Sequence, residues 1–240
     1  MEEILRIRKA SFWIFILPVV AINLCLLIAT NSELLDNTIF NVDPIGRSGF
    51  TIPYFDGGVS ISRVSRTYPA YLLFKPGMII TSVFLIWYWI LNNKLFLKTN
   101  DEIKNKSFLF FGVGSAIFLI FHAIFLGINI ENDLYKFFRR FLLLGFIIFE
   151  VIAQSLLVIN IYKSKEKLKE ITNENILRIK MVLVSVLVIV AVLSAPILNS
   201  NEYTHFKHAL EWNYFLGVVS FYLLSFLFWK KSAGLKNQKF

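Results

Sequence analysis

The chain of 240 residues contains one cysteine, Cys25, and three histidines. A lone cysteine excludes an internal disulfide, so packing and polar contacts alone must hold the fold. Charged residues make up only 17% of the sequence, too few to solvate the surface of a globular domain of this length. No P-loop, G-x-S-x-G, C-x-x-C, Rossmann or H-E-x-x-H pattern occurs. That removes the common sequence-readable machinery for nucleotide phosphates, serine acyl transfer, thiol redox, dinucleotides and zinc proteolysis. The sequence shows no internal repeat, low-complexity tract or second domain.

Apolar length is what the sequence has in abundance. Hydrophobic residues account for 56% of it, in six long runs. Ala10–Ser32 (23 residues), Pro76–Asn93 (18), Met181–Asn201 (21) and Trp212–Trp229 (18) carry no charge. Ser107–Ile130 has only His122 as an ionisable group, and Phe141–Tyr162 has only Glu150. A helix needs about 20 apolar residues to cross the ~30 Å hydrocarbon core. The runs lack the alternation of a barrel strand. They predict an all-α, polytopic membrane protein: one domain over residues 1–240, with spans at about 11–31, 76–93, 107–130, 139–162, 180–200 and 211–229. The first run is longer than a signal-peptide core and no A-x-A site follows it, so it reads as the first span.

The net charge of +9 is distributed by side. Taken as alternating segments, one side holds 17 of the 25 Lys and Arg. Those residues lie in the N-terminal segment, the loop with Lys94 to Lys106, the loop with Lys163 to Lys180, and the tail from Lys230. By the positive-inside rule this side is cytoplasmic, with both termini on it. The basic segments then meet anionic headgroups at the cytoplasmic face rather than nucleic acid. Lys-, Ile-, Asn- and Phe-rich usage suggests a microbial source, and hence the cell (inner) membrane. The stretch 164–180, SKEKLKEITNENILRIK, reads as an amphipathic helix leading into the fifth span.

The long first loop, about 31–75, then faces outward. Its core, FDGGVSISRVSRTYPAYLLFKPGM (55–78), is punctuated by Gly57-Gly58 and Pro69. The alternation in VSISRVS is that of a short strand, one arm of a β-hairpin. A connector needs only a few residues, so this length predicts a lid folded over the outer ends of the spans, with Arg63 and Arg66 meeting Glu211 and lipid headgroups. Asp56 is a supporting polar group in the same loop.

Ionisable groups in lipid need a reason to be there. Counted from span ends at Ile130 and Phe141, His122 and Glu150 fall at one depth on consecutive helices. They predict a contact, serving either as a general acid/base couple or as interhelical glue, with Gln154 one turn beyond Glu150. FGVGS (111–115) reads as a helix-packing face. In HFKHALEWNYF (205–215), His205, His208 and Glu211 step by three residues, with Asn213 beside them. Two histidines without the zinc-protease pattern leave no metal assignment; His208 and Trp212 read as interfacial anchors.

VSISRVSRTYPAYLLFKPGMIIT (59–81) and FKHALEWNYFLGVVSFYLLSFLF (206–228), with the Glu211-Trp212 pair opening the last span, resemble the DRAM/Frag/Sfk family of six-span membrane proteins. The resemblance implies lipid handling, since members are linked to GPI lipid remodelling, lipid asymmetry and autophagy. Three function classes follow. One is a lipid-binding or regulatory protein at the outer leaflet, using Arg63, Arg66, His205 and His208 on headgroups. The second is an intramembrane enzyme of lipid remodelling, by acyl transfer or hydrolysis, with His122, Glu150 and Glu211 as candidate catalytic groups. Against it, no nucleophile stands beside a base at a recognisable spacing. The third is a small transporter, although no matched pair of broken spans occurs. Membrane lipids are the expected partners. Nothing in the sequence calls for a cofactor or fixes an oligomeric state.

Overall fold

The structure is a computed structural model that describes residues 2–41, 49–99, 106–128, 132–199 and 202–230. Six helices in it are long and apolar enough to cross a membrane. They are α1 (Glu2–Thr30), α3 (Tyr71–Thr99), α4 (Ser107–Phe125), α5 (Asp133–Lys163), α7 (Glu174–Asn199) and α8 (Thr204–Phe228). Two short helices lie between them, α2 (Ile61–Arg66) and α6 (Lys165–Leu168). The protein is an all-α, six-span integral membrane protein. Most helices overrun the apolar runs that announced them, because a helix continues through the polar interface where hydropathy falls. α4 is the exception. It ends at Phe125, and Gly127 turns the chain away at φ +84°.

Each long helix packs on two neighbours, α1 on α3, α3 on α4, α4 on α5, α5 on α7, α7 on α8 and α8 back on α1. The six therefore close into a ring. Small residues allow its tightest contacts. Gly112 faces the Trp89 ring, Gly114 faces Phe149 and Gly145 faces Phe118. FGVGS is thus a packing face, as its composition suggests. α1 and α8 are also tied near one end, where the Arg8 guanidinium donates to the Trp229 carbonyl and lies over the Phe226 ring at 4.4 Å.

One end of the ring carries residues 31–41 and 49–70, the turn after α4 and the start of α8; this is the loop face. Here VSISRVS is not a strand, and no strand occurs among the described residues. Ile61, Val64 and Ser65 are buried together as i, i+3 and i+4 of α2. The step of three from Ile61 to Val64 breaks the period of two that the shorter stretch suggested. The Ser60 hydroxyl caps α2 by accepting from the Arg63 N–H at 3.2 Å. At the opposite face, 164–180 is not one helix either. α6 stops at Leu168, and the chain turns to pair with the end of α8, where the Asn173 N–H donates to the Phe228 carbonyl and the Lys230 N–H to the Ile171 carbonyl, both at 2.9 Å.

Gly57, at φ +60°, is the tightest point of the loop face. A Cβ there would lie 1.8 Å from the His205 carbonyl oxygen. Gly57→Ala is expected to cost about 2 kcal/mol or more through strain and clash. A lowered thermal midpoint, with faster hydrogen exchange over 52–66, is the readout.

Candidate functional site

The loop face is built on the first turns of α8. The His208 Nδ1 lies 3.0 Å from the Gly57 carbonyl, the Trp212 indole N–H donates to the Val59 carbonyl at 2.8 Å, and the Asn213 amide donates to the Tyr54 carbonyl at 2.7 Å. Glu211 accepts from the backbone N–H groups of Ile61 and Ser62, which the first turn of α2 leaves free. The expected partnership of Glu211 with Arg63 or Arg66 is therefore absent, because backbone donors already occupy that carboxylate. Asp56 braces the turn below. It accepts from the Thr51 hydroxyl at 2.6 Å and from the Ile52 and Gly58 N–H groups at 2.8 Å each. His205 lies at the surface, and no group of three metal-ligating side chains occurs among the described residues.

Arg63 and Arg66 belong to a different grouping. Arg66 ends α2 above the turn after α4, where a Cβ on Gly127 would lie 3.0 Å from the Arg66 carbonyl oxygen. Partial burial, followed by the like charges of Arg139 and Arg63, pulls the Arg66 guanidinium below its ordinary value. Arg139 stands on the first third of α5, over the Tyr135 ring at 5.3 Å. The Tyr135 hydroxyl donates to the Phe125 carbonyl at 2.6 Å, which ties that third of α5 to the end of α4. Arg139 also acts on His122, which is 94% buried (6% exposed) and whose Nδ1 has no partner; the Arg139 Nε has none either. No carboxylate pairs with Arg63, Arg66 or Arg139 among the described residues. Along the same turns α5 presents an exposed apolar face, formed by Leu134, Phe137, Phe138 and Phe141.

Glu150 is not beside His122. Phe118 meets Gly145 and Phe149 meets Gly114, so Glu150 is level with Ser115, which lies seven residues or about 10 Å along α4 from His122. The depths differ because α4 stops at Phe125 and α5 begins at Asp133, not at the ends of the apolar runs. Glu150 instead sits at the centre of the ring, fully buried. Ser115 Oγ lies 2.6 Å from its Oε2, and the Gln154 amide donates to its Oε1 at 2.9 Å. The Tyr222 hydroxyl also donates to Oε1. Gln154 acts beside Glu150 as its spacing suggested, and reaches the Val218 carbonyl as well, at 3.2 Å.

A second buried charge lies close by, and the sequence reading missed it. Lys180 is 1% exposed. Its ammonium donates to Ser225 Oγ at 2.7 Å and lies 4.0 Å from the centre of the Phe221 ring. Ser225 Oγ is also 3.1 Å from the Tyr88 hydroxyl. Counting Lys180 among the charges of a cytoplasmic loop hid it. The available signal was spacing, since Leu177, Lys180, Val184 and Leu187 form one buried stripe on α7. Lys180 beside Ser225 is a base beside a hydroxyl, the arrangement that the sequence did not disclose. Ser225 is fully buried, and its hydroxyl donates to the Phe221 carbonyl at 2.8 Å, so that hydrogen is already committed.

The three groups put forward as catalytic thus stand apart. Glu211 is at the loop face, His122 is under Arg139, and Glu150 is in the ring centre, 11 residues or about 16 Å along α8 from the level of Glu211 if measured at its partner Tyr222. No protein-family model matches the chain, and no curated protein or solved structure matches it significantly.

Two outcomes follow. The Thr51 hydroxyl first, then the N–H groups of Gly58 and Ile52, hold the Asp56 carboxyl below its ordinary value. A lowered carboxyl stabilises the turn above the unfolded value of about 3.9 and loses that contribution as pH falls through the folded one. The protection of the Ile52 and Gly58 amides, measured against the intrinsic exchange rate at each pH, should therefore fall on acidification below about pH 4, and Asp56→Asn should show the low protection at neutral pH. In the core, Glu150→Ala strands Ser115, Tyr222 and Gln154 and should cost about 3 kcal/mol or more. Glu150→Gln keeps the shape and hydrogen-bonding capacity, and should cost about 1 kcal/mol or less by thermal unfolding in detergent.

Proposed function

We propose that this membrane protein binds an anionic lipid at its loop face. The lipid phosphate lies between Arg66 and Arg139, with Arg63 beside them, and an acyl chain runs along the exposed apolar face of α5. The observation that carries this reading is the gathering of three guanidinium groups with no carboxylate paired to them among the described residues, beside an exposed apolar face of α5. Guanidinium groups placed together repel one another, and a phosphate offers each of them charge-assisted, bidentate hydrogen bonds. The nearby carboxylates are otherwise engaged: Asp56 braces its turn, Asp133 pairs with Lys136 at 2.9 Å, and Glu211 holds α2.

Two further points support the reading. The stretches that resemble the DRAM/Frag/Sfk family, 59–81 and 206–228, are those joined through Trp212 and Val59 and through Glu211 and α2. α8 thereby positions the helix that presents Arg63 and Arg66. The charge asymmetry of the chain puts this face on the extracytoplasmic side, so the lipid is one of the outer leaflet. His205 and His208 serve the loop rather than the headgroup in this reading, and His208 is engaged with Gly57.

The test is titration of the purified protein, in nanodiscs of zwitterionic lipid, with an anionic phospholipid, counting bound lipid by native mass spectrometry. Arg66→Ala with Arg139→Ala should weaken binding about tenfold or more, the scale of one lost charge-assisted bond. Arg66→Lys with Arg139→Lys should retain part of it, and Arg178→Ala, at the opposite face, should change nothing. Equal binding by the double alanine variant overturns the reading.

A further inference from the structure

A hydroxyl carries one hydrogen, and that count bears on Glu150. Ser115 Oγ lies 2.8 Å from the Gly112 carbonyl oxygen and 2.6 Å from Glu150 Oε2. Both are acceptors if the carboxyl is ionised, and Ser115 can satisfy only one fully. If the carboxyl carries the proton on Oε2, this pair of contacts is served: Oε2–H donates to Ser115, and Ser115 donates to Gly112. Oε1 accepts from Tyr222 and Gln154 in either case. The titratable groups around Glu150 are Tyr222 on α8, Tyr88 on α3 and, beyond Ser225, Lys180 on α7; α4 supplies the Ser115 hydroxyl.

We propose that the centre of the ring is a proton-binding site, with Glu150 holding an exchangeable proton between Ser115, Tyr222 and Gln154. A second polar contact lies one turn away on α8. Ser225, which accepts from Lys180, is one turn from Tyr222, which donates to Glu150. Tyr88 bridges that turn, with its hydroxyl 3.1 Å from Ser225 Oγ and its ring packed edge-on to Tyr222 at 5.1 Å. When the carboxyl O–H bond breaks, the proton passes to solvent and the electron pair stays on Glu150. The carboxylate left behind keeps Tyr222 and Gln154 as donors, and Ser115 turns its hydrogen from Gly112 to Oε2. This inference is independent of the lipid reading and uses different residues.

Infrared spectroscopy of the protein in lipid tests it. At neutral pH the native protein should show a protonated-carboxyl C=O stretch that shifts in D₂O and disappears in Glu150→Gln, whose amide reproduces the hydrogen bonds of the neutral acid and keeps the fold. On raising the pH the native band should fade. In Tyr222→Phe, which removes a donor that favours the carboxylate, the fading should occur at higher pH. A neutral-pH spectrum identical in native protein and Glu150→Gln shows an ionised Glu150 and overturns the proposal. A band that ignores D₂O overturns the exchange, and a fading point that Tyr222→Phe leaves unmoved overturns the part played by the tyrosine donor. Thermal unfolding of each variant confirms that the spectra come from folded protein.

Discussion

A carboxyl group surrounded by helices within lipid has to be answered by its neighbours, and the ring is arranged around that requirement. Glu150 on α5 is met by Ser115 on α4 and by Tyr222 on α8. Lys180 on α7 and Tyr88 on α3 join through Ser225, also on α8. Five of the six long helices thus contribute to one polar centre. Apolar packing between helices in lipid gains little from expelling water, so a few buried polar contacts and close small-residue approaches decide which helix lies beside which. Gly112 under Trp89 and Gly114 under Phe149 provide those approaches close to Ser115.

The loop face solves a different problem with the same economy. A six-residue helix has no stability of its own. α2 persists because Ser60 caps it, Glu211 occupies its first N–H groups, and Ile61 and Val64 are buried beneath it. Glu211 and Trp212 are adjacent on α8 and hold adjacent parts of the loop, so the entry to α8 sets where Arg63 and Arg66 stand. The cationic cluster is completed from α5, whose overrun beyond the apolar slab carries Arg139 up to meet them.

Six spans were legible from the sequence because hydropathy reports residence in lipid directly. The ends of the helices were not, because a helix that leaves the hydrocarbon core needs no apolar residues. That single gap misplaced His122 and Glu150 relative to each other. Asp133 begins α5 well before Phe141, and Gly127 ends α4 early, so an equal count from the apolar ends was not an equal depth. Lys180 was obscured for a related reason. Its charge suits a cytoplasmic loop, and only the stripe formed with Leu177, Val184 and Leu187 reveals an inward register. In VSISRVS the short alternation concealed a helical face, and the deciding donors and acceptors, Ser60 and Glu211, lie 151 residues apart in the chain. Arg139 stands with Arg66 across 73 residues, a separation that no local pattern encodes.

Ring closure through α8 also orders the birth of the molecule. Helices enter a membrane from the translocon in the sequence in which they are made. α1, α3, α4 and α5 can settle against one another as an open arc, since each touches its predecessor in that series. Tyr222 and Ser225, which answer Glu150 and Lys180, both arrive on the sixth span. Until then the nascent bundle carries an acid and a base that lack these partners, and an arc of helices with two unclosed edges. α8 is therefore the keystone of biogenesis: its insertion seals the ring against α1, completes the polar centre and, through Trp212 and Glu211, draws the long loop into place.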